Sequence, residues 1–197
     1  MSAGRTMLAL DIGGTKMLAA LVRADAVLES VSLPTPREGG PRDWLEMLFG
    51  RIKPWRGRYA GVGVAVTGIV DGGFWSPLNR RTLDFPDRFA LTQTVSDLAG
   101  TPAFAVNDAQ AAAWGEFRFG AGQGADIVFL TISTGIGGGI VTGGRLLTGL
   151  GGHFGLLRAQ DFEGAGSPDG ALEDEVSGNF IARRAAAHRP GATARDV

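Results

Sequence analysis

Short apolar runs separated by glycine and proline dominate the start of the chain. Two such runs, Met7–Asp11 and Met17–Val22, flank a Gly-Gly pair and predict a β-hairpin. A third run, Ala26–Leu33, predicts another strand that ends before Pro34, because proline cannot donate to a strand ladder. The pattern therefore predicts three antiparallel strands in this part of the chain.

Helical periodicity follows these strands. Apolar residues recur at the spacing of one helix face in Pro41–Trp55, where proline suits the first turn. The polar, irregular segment Gly72–Phe85 predicts a loop over a binding site. The other elements predicted in this stretch are strands over Gly61–Val66 and Ala103–Val106 and helices over Leu91–Leu98 and Asp108–Phe117.

The strand pattern begins again near Asp126. The predicted elements are strands over Asp126–Ser133 and Gly139–Thr142, a loop over Gly149–Gly170 and a helix over Leu172–Ala187. Because this resembles the order at the start of the chain, it predicts two related α/β lobes with ligands held in the cleft between them. The expected domains are residues 1–107 and 108–197.

Composition narrows the class of protein. The chain has 197 residues, of which 44% are hydrophobic and 20% charged, as in an ordinary globular protein. The formal net charge of −1 provides no basic field, so neither nucleic acid nor a membrane is expected as a partner. The absence of cysteine excludes disulfides, thiol catalysis and cysteine-ligated metal centres.

The sequence shows no export or membrane signal. The first residues lack the basic and apolar regions of a signal peptide, and no apolar run approaches the roughly 20 residues that span a bilayer. We therefore expect a cytoplasmic protein. The 32 glycines cluster between apolar runs, which is the distribution expected of turns and binding loops.

The first glycine pair offers phosphate-binding chemistry. In Asp11-Ile12-Gly13-Gly14-Thr15-Lys16, glycine lets backbone N–H groups converge on phosphate oxygens, and Asp11 can hold Mg²⁺ or its waters. The spacing fits neither a P-loop nor a dinucleotide-binding turn, and many hairpins contain Gly-Gly. Lys16 either contacts phosphate or is a solvated strand residue.

A second glycine-rich turn follows the strand predicted to begin at Asp126. It reads Ser133-Thr134-Gly135-Ile136-Gly137-Gly138-Gly139 and again combines hydroxyls with glycines. Two such turns suit a nucleotide whose phosphates are bound between two half-sites. The candidate phosphate-binding residues here are Thr134, Gly135, Gly137 and Gly138.

Asn107-Asp108 lies where a predicted strand ends and a helix begins. Aspartate often caps helices, so Asp108 has a purely structural interpretation. In the alternative, Asp108 is a general base that accepts a substrate hydroxyl proton during attack on the γ-phosphorus, and Asn107 reaches toward a ligand. Position alone leaves both interpretations open.

Two further polar residues have a structural and a functional interpretation. His153 lies in a glycine-rich loop and is either a surface residue or a hydrogen-bond partner of a sugar hydroxyl. Glu173 is near the start of the last predicted helix, where a carboxylate complements the helix dipole. It can equally accept hydrogen bonds from vicinal hydroxyls.

Taken in order, these segments resemble the ROK family of sugar kinases. The motifs are Leu10-Asp11-Ile12-Gly13-Gly14-Thr15-Lys16, Asn107-Asp108-Ala109-Gln110-Ala111-Ala112-Ala113-Trp114-Gly115-Glu116 and the second glycine turn. Within the family the chain is most similar to bacterial N-acetylmannosamine kinases, because Gly152-His153-Phe154-Gly155 has His where glucokinases usually have Glu. The resemblance implies an α/β fold of the actin-like ATPase (ribonuclease H-like) type with two lobes.

The resemblance also implies roles for particular residues. ATP would bind on the two glycine turns with Mg²⁺ near Asp11, and Asp108 would act as base toward the 6-hydroxyl of N-acetylmannosamine in sialic-acid catabolism. The residues implied to bind the sugar are Gly68, Asn107, His153 and Glu173. Because the family is often dimeric, a full-length chain is expected to form a homodimer.

The chain departs from the family in its metal-binding segment. Many members hold a structural zinc with one His and three Cys; here the His position reads Leu156, and the segment Gly164–Glu173 contains no cysteine. Because all four ligands are absent together, we expect no zinc and a looser loop over Gly155–Gly170.

Length is the second departure. The family runs to roughly 300 residues, a two-domain size, so the second lobe is expected to be incomplete and the isolated chain poorly active. The alternatives are a glucokinase, an inactive truncated sugar- or nucleotide-binding remnant and a sugar-responsive repressor. The repressor is disfavoured because few residues precede the first predicted strand and no basic patch is present.

Overall fold

The computed structural model describes residues 4–80, 82–133, 135–148, 154 and 171–196. The chain divides into two compact units, Met1–Asp108 and Ala109–Val197. This division lies one residue beyond the expected domain boundary, and the assignment of a functional lobe to each unit stays a prediction. Among the described residues, no helix is both long and apolar enough to cross a membrane.

A five-stranded sheet organises the first unit. The elements in chain order are β1 (Met7–Ile12), β2 (Lys16–Arg23), β3 (Ala26–Pro34), α1 (Pro41–Arg51), β4 (Val62–Val66), β5 (Ile69–Asp71), β6 (Phe74–Ser76), α2 (Leu91–Ala99) and β7 (Ala103–Asn107). The sheet order is β3-β2-β1-β4-β7. The first three strands are antiparallel, as predicted, whereas β1, β4 and β7 run parallel to one another.

The core of this unit lies between the sheet and its two helices. The helical pattern of Trp44, Leu45 and Leu48 buries one face of α1, and Leu91 and Val95 do the same for α2. These side chains form one cluster with the buried positions of β1, β2 and β4. The two helices cover the sheet on one side. The carboxyl ends of its parallel strands are not part of this core and can hold a site.

Two predictions for the first unit were wrong. The helix expected over Pro41–Trp55 ends at Arg51 and is followed by a 3₁₀ turn, Lys53–Trp55, because Pro54 has no N–H to continue the α-helical ladder. The segment Gly72–Phe85, expected to be a loop, contains the turn and the second strand of a short hairpin, in which β5 pairs with β6. Its turn is formed by Gly72 at φ +55° and Gly73 at φ +86°, values that favour glycine.

A three-stranded antiparallel sheet, three α-helices and a 3₁₀ turn, Ala194–Asp196, form the described part of the second unit. The elements are α3 (Asp108–Phe119, which starts at the last residue of the first unit), β8 (Ile127–Ile132), β9 (Ile136–Thr142), β10 (Arg145–Leu146), α4 (Leu172–Val176) and α5 (Gly178–His188). The sheet order is β10-β9-β8. Ala113 and Phe117 of α3 pack against Val141 of β9, which makes a small apolar core.

The glycine run of the second unit does not form the predicted turn. Strand β9 begins at Ile136, so Gly137, Gly138 and Gly139 all pair with β8. A Cβ atom on Gly139 would lie 2.5 Å from the Ala113 Cβ, and one on Gly137 would lie 2.9 Å from the Ala109 Cβ. Glycine is therefore needed here because the strand lies so close to α3.

The last predicted helix, Leu172–Ala187, is two helices. Ser177 has an extended backbone with ψ 158° and separates α4 from α5. Its side-chain oxygen accepts a hydrogen bond from the Phe180 N–H at 3.3 Å, the geometry of an N-cap. The periodic apolar pattern missed this break because serine is compatible with either a helix interior or a cap.

Candidate active site

Three parallel strands of the first unit end at the same edge of the sheet. The register pairs Ile12 of β1 with Val66 of β4, and Val66 with Asn107 of β7. The residues next to these ends include the first glycine turn, Gly68 and Asp108. In open α/β sheets the carboxyl edge of parallel strands is the usual place for a ligand. This edge holds the predicted residues Asp11, Gly13, Gly14, Thr15, Lys16, Gly68, Asn107 and Asp108.

The Asp108 carboxylate is oriented by a threonine on the neighbouring strand end. The Thr67 hydroxyl donates a hydrogen bond to Asp108 Oδ2 at 2.8 Å. Asp108 is the first residue of α3 and is half-buried, so the helix N-terminus favours its negative charge. A carboxylate with one oxygen held by a donor can act on a proton through a fixed geometry.

Asn107 is tied to the same strand end. Its side-chain amide donates a hydrogen bond to the Gly68 carbonyl at 3.0 Å, and Asn107 is buried. The Trp75 indole N–H donates to the Thr67 carbonyl at 2.9 Å. Residues 67 and 68 are thereby held from two sides, by β7 and by β6.

Gly68 occupies a conformation and a space that other residues do not tolerate. Its φ is +122°, and an added Cβ would lie 2.6 Å from the Ser76 carbonyl oxygen and 3.0 Å from Trp75 Nε1. Both neighbours belong to the β6 strand that packs against the Thr67-Gly68 turn. The fold therefore requires glycine at position 68, which also lies at the strand edge that carries the candidate site.

We expect Gly68→Ala to lower the free energy of unfolding by about 3 kcal/mol, because backbone strain and a clash with a carbonyl add together. Gly72→Ala is the matched control, since its φ is +55° but no atom lies within 4 Å of an added Cβ. Its cost is about 1 kcal/mol. Urea unfolding of both variants checks this prediction. Equal losses of unfolding free energy would show that the clash at residue 68 costs no stability.

The first glycine turn is closed by its own backbone and covered on one side. The Gly13 N–H donates to the Lys16 carbonyl at 3.0 Å, and the Thr35 hydroxyl donates to the Gly13 carbonyl at 2.6 Å. A Cβ on Gly14 would lie 2.4 Å from Thr82 Cγ2, so the segment after β6 lies against this turn. Thr15 and Lys16 are exposed.

Asp11 is electrostatically destabilised in the folded chain. Loss of solvation raises the pKa of its carboxyl, the negative charge of Asp108 raises this pKa further, and Lys16 lowers it in part. Asp11 retains solvent access at the strand edge. A carboxylate in this state gains from a nearby cation, which is what Mg²⁺ bound with a nucleotide would supply.

Because the pKa of Asp11 is raised by folding, its ionisation opposes folding. We expect Asp11→Asn to raise the melting temperature at pH 7. The stabilisation should shrink as pH falls toward the unfolded-state pKa of about 3.9, below which both states hold the proton. Thermal melts from pH 3.5 to 8 check this against Asp25→Asn, a change at an exposed turn position. A variant that is less stable than the parent at pH 7 would contradict it.

The second turn is held by residues near the last two helices. The Glu173 carboxylate accepts the Ile136 N–H at 2.8 Å, and the Gly178 N–H donates to the Ser133 carbonyl at 2.7 Å. The structure therefore places Glu173, expected to bind sugar, against Gly135 and Ile136. Gly137 and Gly138 lie within β9, beyond the turn itself.

Several predictions fall outside the described residues. These are Thr134, His153, Leu156 and the looser loop expected over Gly155–Gly170. Among the residues that are described, no group of three or more His, Asp or Glu side chains is arranged for a metal ion. The expected absence of zinc stays a prediction.

Sequence reasoning missed Thr67 and Trp75 as members of this site. Thr67 follows a buried strand directly, at the edge that Asp11 and Asp108 share, and a hydroxyl in that position was a usable signal. No sequence signal marked Trp75 as a member of the site, because its role depends on the β5–β6 hairpin, which was not predicted.

Comparison with known proteins identifies the family. The sequence pattern of the ROK family matches residues 7–197. The bifunctional enzyme NanE/NanK of Brucella melitensis is 47% identical over 193 residues, which make up 97% of this chain and 37% of that enzyme. The N-acetylmannosamine kinase of Shigella flexneri is 41% identical over 199 residues, covering 98% of this chain and 68% of the kinase.

A solved structure supports the same relationship. The ROK family glucokinase of Streptomyces griseus, in complex with glucose and AMPPNP, matches with a TM-score of 0.75 and 30% identity over 94% of this chain and 62% of its own. The predicted α/β fold of the actin-like ATPase type is thereby confirmed. The chain spans little more than a third of the Brucella enzyme and about two thirds of the Shigella kinase. This chain belongs to the ROK family.

Proposed function

We propose that the protein is an ATP- and Mg²⁺-dependent kinase that phosphorylates the 6-hydroxyl of N-acetylmannosamine, a step of sialic-acid catabolism. The observation that carries the proposal is the Asp108 carboxylate, held at 2.8 Å by the Thr67 hydroxyl beside Asp11 and the first glycine turn. Phosphoryl transfer requires a positioned base and stabilised phosphate charge more than covalent chemistry, and we assign both roles to residues at this edge.

In the proposed reaction Asp108 accepts the proton of the 6-hydroxyl. The sugar oxygen forms a bond to the γ-phosphorus of ATP as the bond from that phosphorus to the β–γ bridging oxygen breaks, and ADP leaves. Backbone N–H groups of the two glycine turns are assigned to the phosphates. The residues in these turns are Gly13, Gly14, Thr15 and Lys16 in the first and Thr134, Gly135, Gly137 and Gly138 in and beside the second.

Mg²⁺ fits the residues at the first turn. Carboxylate oxygen is a ligand that Mg²⁺ prefers, and Asp11 has its pKa raised by burial and by the second carboxylate, Asp108. When bound, the ion neutralises developing phosphate charge. Asp11 would hold it directly or through water.

The sugar assignment rests on relatives and on local geometry. The Shigella relative is named an N-acetylmannosamine kinase. Asn107 and Gly68, which are joined by a hydrogen bond beside Asp108, would line the sugar pocket with His153. Glucokinase is the second candidate, because the Streptomyces relative is a glucokinase bound to glucose. The cytoplasmic location expected from the sequence accompanies the proposal, as does a homodimer, which rests on the family resemblance.

Sugar-dependent release of ADP tests the proposal. The purified chain is incubated with Mg-ATP and N-acetylmannosamine, glucose or no sugar, and ADP is measured by a coupled assay. We expect weak ADP release that requires N-acetylmannosamine and is lost on removal of Mg²⁺. Release with glucose alone would replace the proposal with a glucokinase.

A cooperative melt separates the remaining outcomes. No turnover with any sugar in a chain that melts cooperatively would favour a binding remnant. No turnover without a cooperative melt would mean that the 197 residues require the further length found in their relatives. The assay would then be repeated on the longer Shigella kinase.

A further inference from the structure

Asp71 and Gly72 lie at the tip of the β5–β6 hairpin. Asp71 ends β5 and pairs with Phe74, and Gly72 and Gly73 form the two-residue turn between them. The Asp-Gly sequence occurs once more, at residues 169–170, which lie outside the described part of the chain. In an Asp-Gly pair the glycine nitrogen is a nucleophile next to the aspartate carboxyl group, and glycine has no side chain to shield it. The pair is therefore a candidate for a reaction of the chain with itself.

The Asp71 carboxyl group is open to solvent. Its side chain is 83% exposed. The Arg88 Nη1 atom lies 3.9 Å from Asp71 Oδ2, which is an ion pair but is too long for a hydrogen bond. An exposed ion pair of this kind holds a side chain only weakly. The carboxyl group is therefore able to turn toward the backbone of the hairpin tip.

The Gly72 nitrogen is accessible as well. Among the described residues, none accepts a hydrogen bond from the Gly72 N–H. A Cβ added to Gly72 would meet nothing within 4 Å, whereas one added to Gly73 would lie 2.9 Å from the Thr92 hydroxyl oxygen. The Gly73 carbonyl also accepts the Thr92 N–H at 3.1 Å. The turn is thus anchored to α2 through its second glycine and is open at its first.

Ring closure at this pair requires a rotation of the backbone. In the extended conformation of a strand, the side chain of Asp71 points away from the nitrogen of the next residue. The contact that opposes the rotation is the Asp71–Phe74 pair, which is the last pair of a hairpin whose strands have three residues each. Because so short a hairpin is held weakly by its own strands, its tip opens at a small cost in free energy.

We propose that Asp71-Gly72 is a site of spontaneous isomerisation to isoaspartate. The Gly72 nitrogen forms a bond to Asp71 Cγ, and a carboxyl oxygen leaves as water, taking the proton of that nitrogen. The product is a five-membered succinimide ring. Water then adds to the main-chain carbonyl carbon of Asp71 and breaks its bond to nitrogen, so that the chain runs through Cβ and Cγ. The water released in the first step balances the water consumed in the second, and the mass is unchanged.

Isomerisation lengthens the main chain by a carbon atom at the hairpin tip. The Asp71–Phe74 and Val70–Trp75 pairs then cannot both keep their register. The Trp75 indole N–H donates to the Thr67 carbonyl at 2.9 Å, so a shift of β6 weakens this hydrogen bond. We expect the Trp75 indole N–H to exchange with solvent about tenfold faster in the isomerised chain, as measured by NMR.

Peptide mapping of the aged chain tests the proposal. The chain is incubated for several weeks at 37 °C and digested with trypsin, which releases residues 59–80 as a peptide with Asp71 as its single aspartate. We expect a second form of this peptide, equal in mass and separable by chromatography, that isoaspartate O-methyltransferase methylates. The other Asp-Gly pair lies in a different tryptic peptide, residues 159–183, so its chemistry is recorded separately.

Three variants assign the reaction to its two residues. Asp71→Glu moves the carboxyl carbon one bond farther from the nitrogen, so the five-membered ring cannot form and the second peptide form should be absent. Gly72→Ala shields the nitrogen and should slow its accumulation. Asp97→Glu is the matched control, because Asp97 is exposed on α2 and is followed by leucine; it should leave the reaction at residue 71 unchanged.

The peptide of residues 59–80 free in solution provides the decisive comparison. Isomerisation of the free peptide without isomerisation in the folded chain would show that the hairpin protects Asp71, and it would overturn the proposal. Equal accumulation in the parent and in Asp71→Glu would overturn it too. Unchanged Trp75 exchange in the modified fraction would overturn the expected effect on Thr67. None of these measurements requires turnover, so the result stands apart from the proposed function.

Discussion

Asp108→Asn is expected to lower sugar-dependent turnover by about 10³-fold, within the usual range for loss of a general base. Asparagine keeps the shape of the side chain, and its amide oxygen can still accept the Thr67 hydroxyl, which lies 2.8 Å from Asp108 Oδ2. It cannot take the proton of the 6-hydroxyl. The geometry of the site is therefore retained while the chemistry is lost, and the Kd for AMPPNP should change by less than about threefold.

The control for Asp108 is an aspartate of the same unit that lies away from the strand edge. Asp97 is exposed on α2 and accepts a hydrogen bond from the Gln93 side chain at 2.7 Å. Asp97→Asn should retain parental turnover. If Asp108→Asn kept more than a tenth of the parental rate, Asp108 would be left with its structural interpretation as a residue that complements the helix N-terminus.

Trp75→Ala is expected to lower the free energy of unfolding by about 3–5 kcal/mol, as for other buried tryptophans. Trp75 is fully buried, and its ring centroid lies 4.5 Å from that of Phe85 and 6.4 Å from that of Trp44. Truncation leaves a cavity between these rings. It also removes the donor to the Thr67 carbonyl, so the residue that orients Asp108 loses its support.

Two other variants isolate these effects in chemical unfolding followed by circular dichroism. Trp114 is 37% exposed on α3, and Trp114→Ala should cost about 1 kcal/mol or less. Trp75→Phe keeps a six-membered aromatic ring but loses the indole N–H. It should therefore cost less stability than Trp75→Ala and still lower turnover. Similar stability losses for Trp75→Ala and Trp114→Ala would contradict the packing described for the first unit.

Local patterns predicted the antiparallel part of the fold well. The hairpin of β1 and β2 has its signal in adjacent residues, two apolar runs around Gly13-Gly14, and the observed strands match it. The parallel pairing of β1 with β4 joins strands far apart in sequence, and alternation alone does not specify which strands pair. The β5–β6 hairpin was missed because three-residue strands are too short to show a period.

The glycines show why a composition signal can be misread. Gly137 indicated a turn, yet it lies in a strand because Ala109 of α3 leaves no room for a Cβ. That requirement depends on packing between elements, which a single sequence does not reveal. Gly13 and Gly14, in contrast, do lie at a turn, where the local signal and the structure agree.

The candidate site was predictable as far as strand ends could be recognised. Asp11 and Asp108 each follow or end an apolar run, and the structure brings them close enough for the Asp108 charge to raise the pKa of Asp11. The bond from Thr67 to Asp108 spans 41 residues and the bond from Trp75 to Thr67 needs an unpredicted hairpin. The supporting contacts therefore had to come from the structure.

Identification of the phosphorylated product tests the central claim most directly, because ADP release alone does not distinguish transfer to sugar from hydrolysis. The chain is incubated with Mg-ATP and N-acetylmannosamine, and the mixture is examined by ³¹P NMR beside a reaction with the Asp108→Asn variant. We predict a new phosphomonoester resonance coupled to the C6 protons of the sugar, formed by the parent and not by the variant. Inorganic phosphate as the only product, or equal ester formation by the variant, would contradict the account.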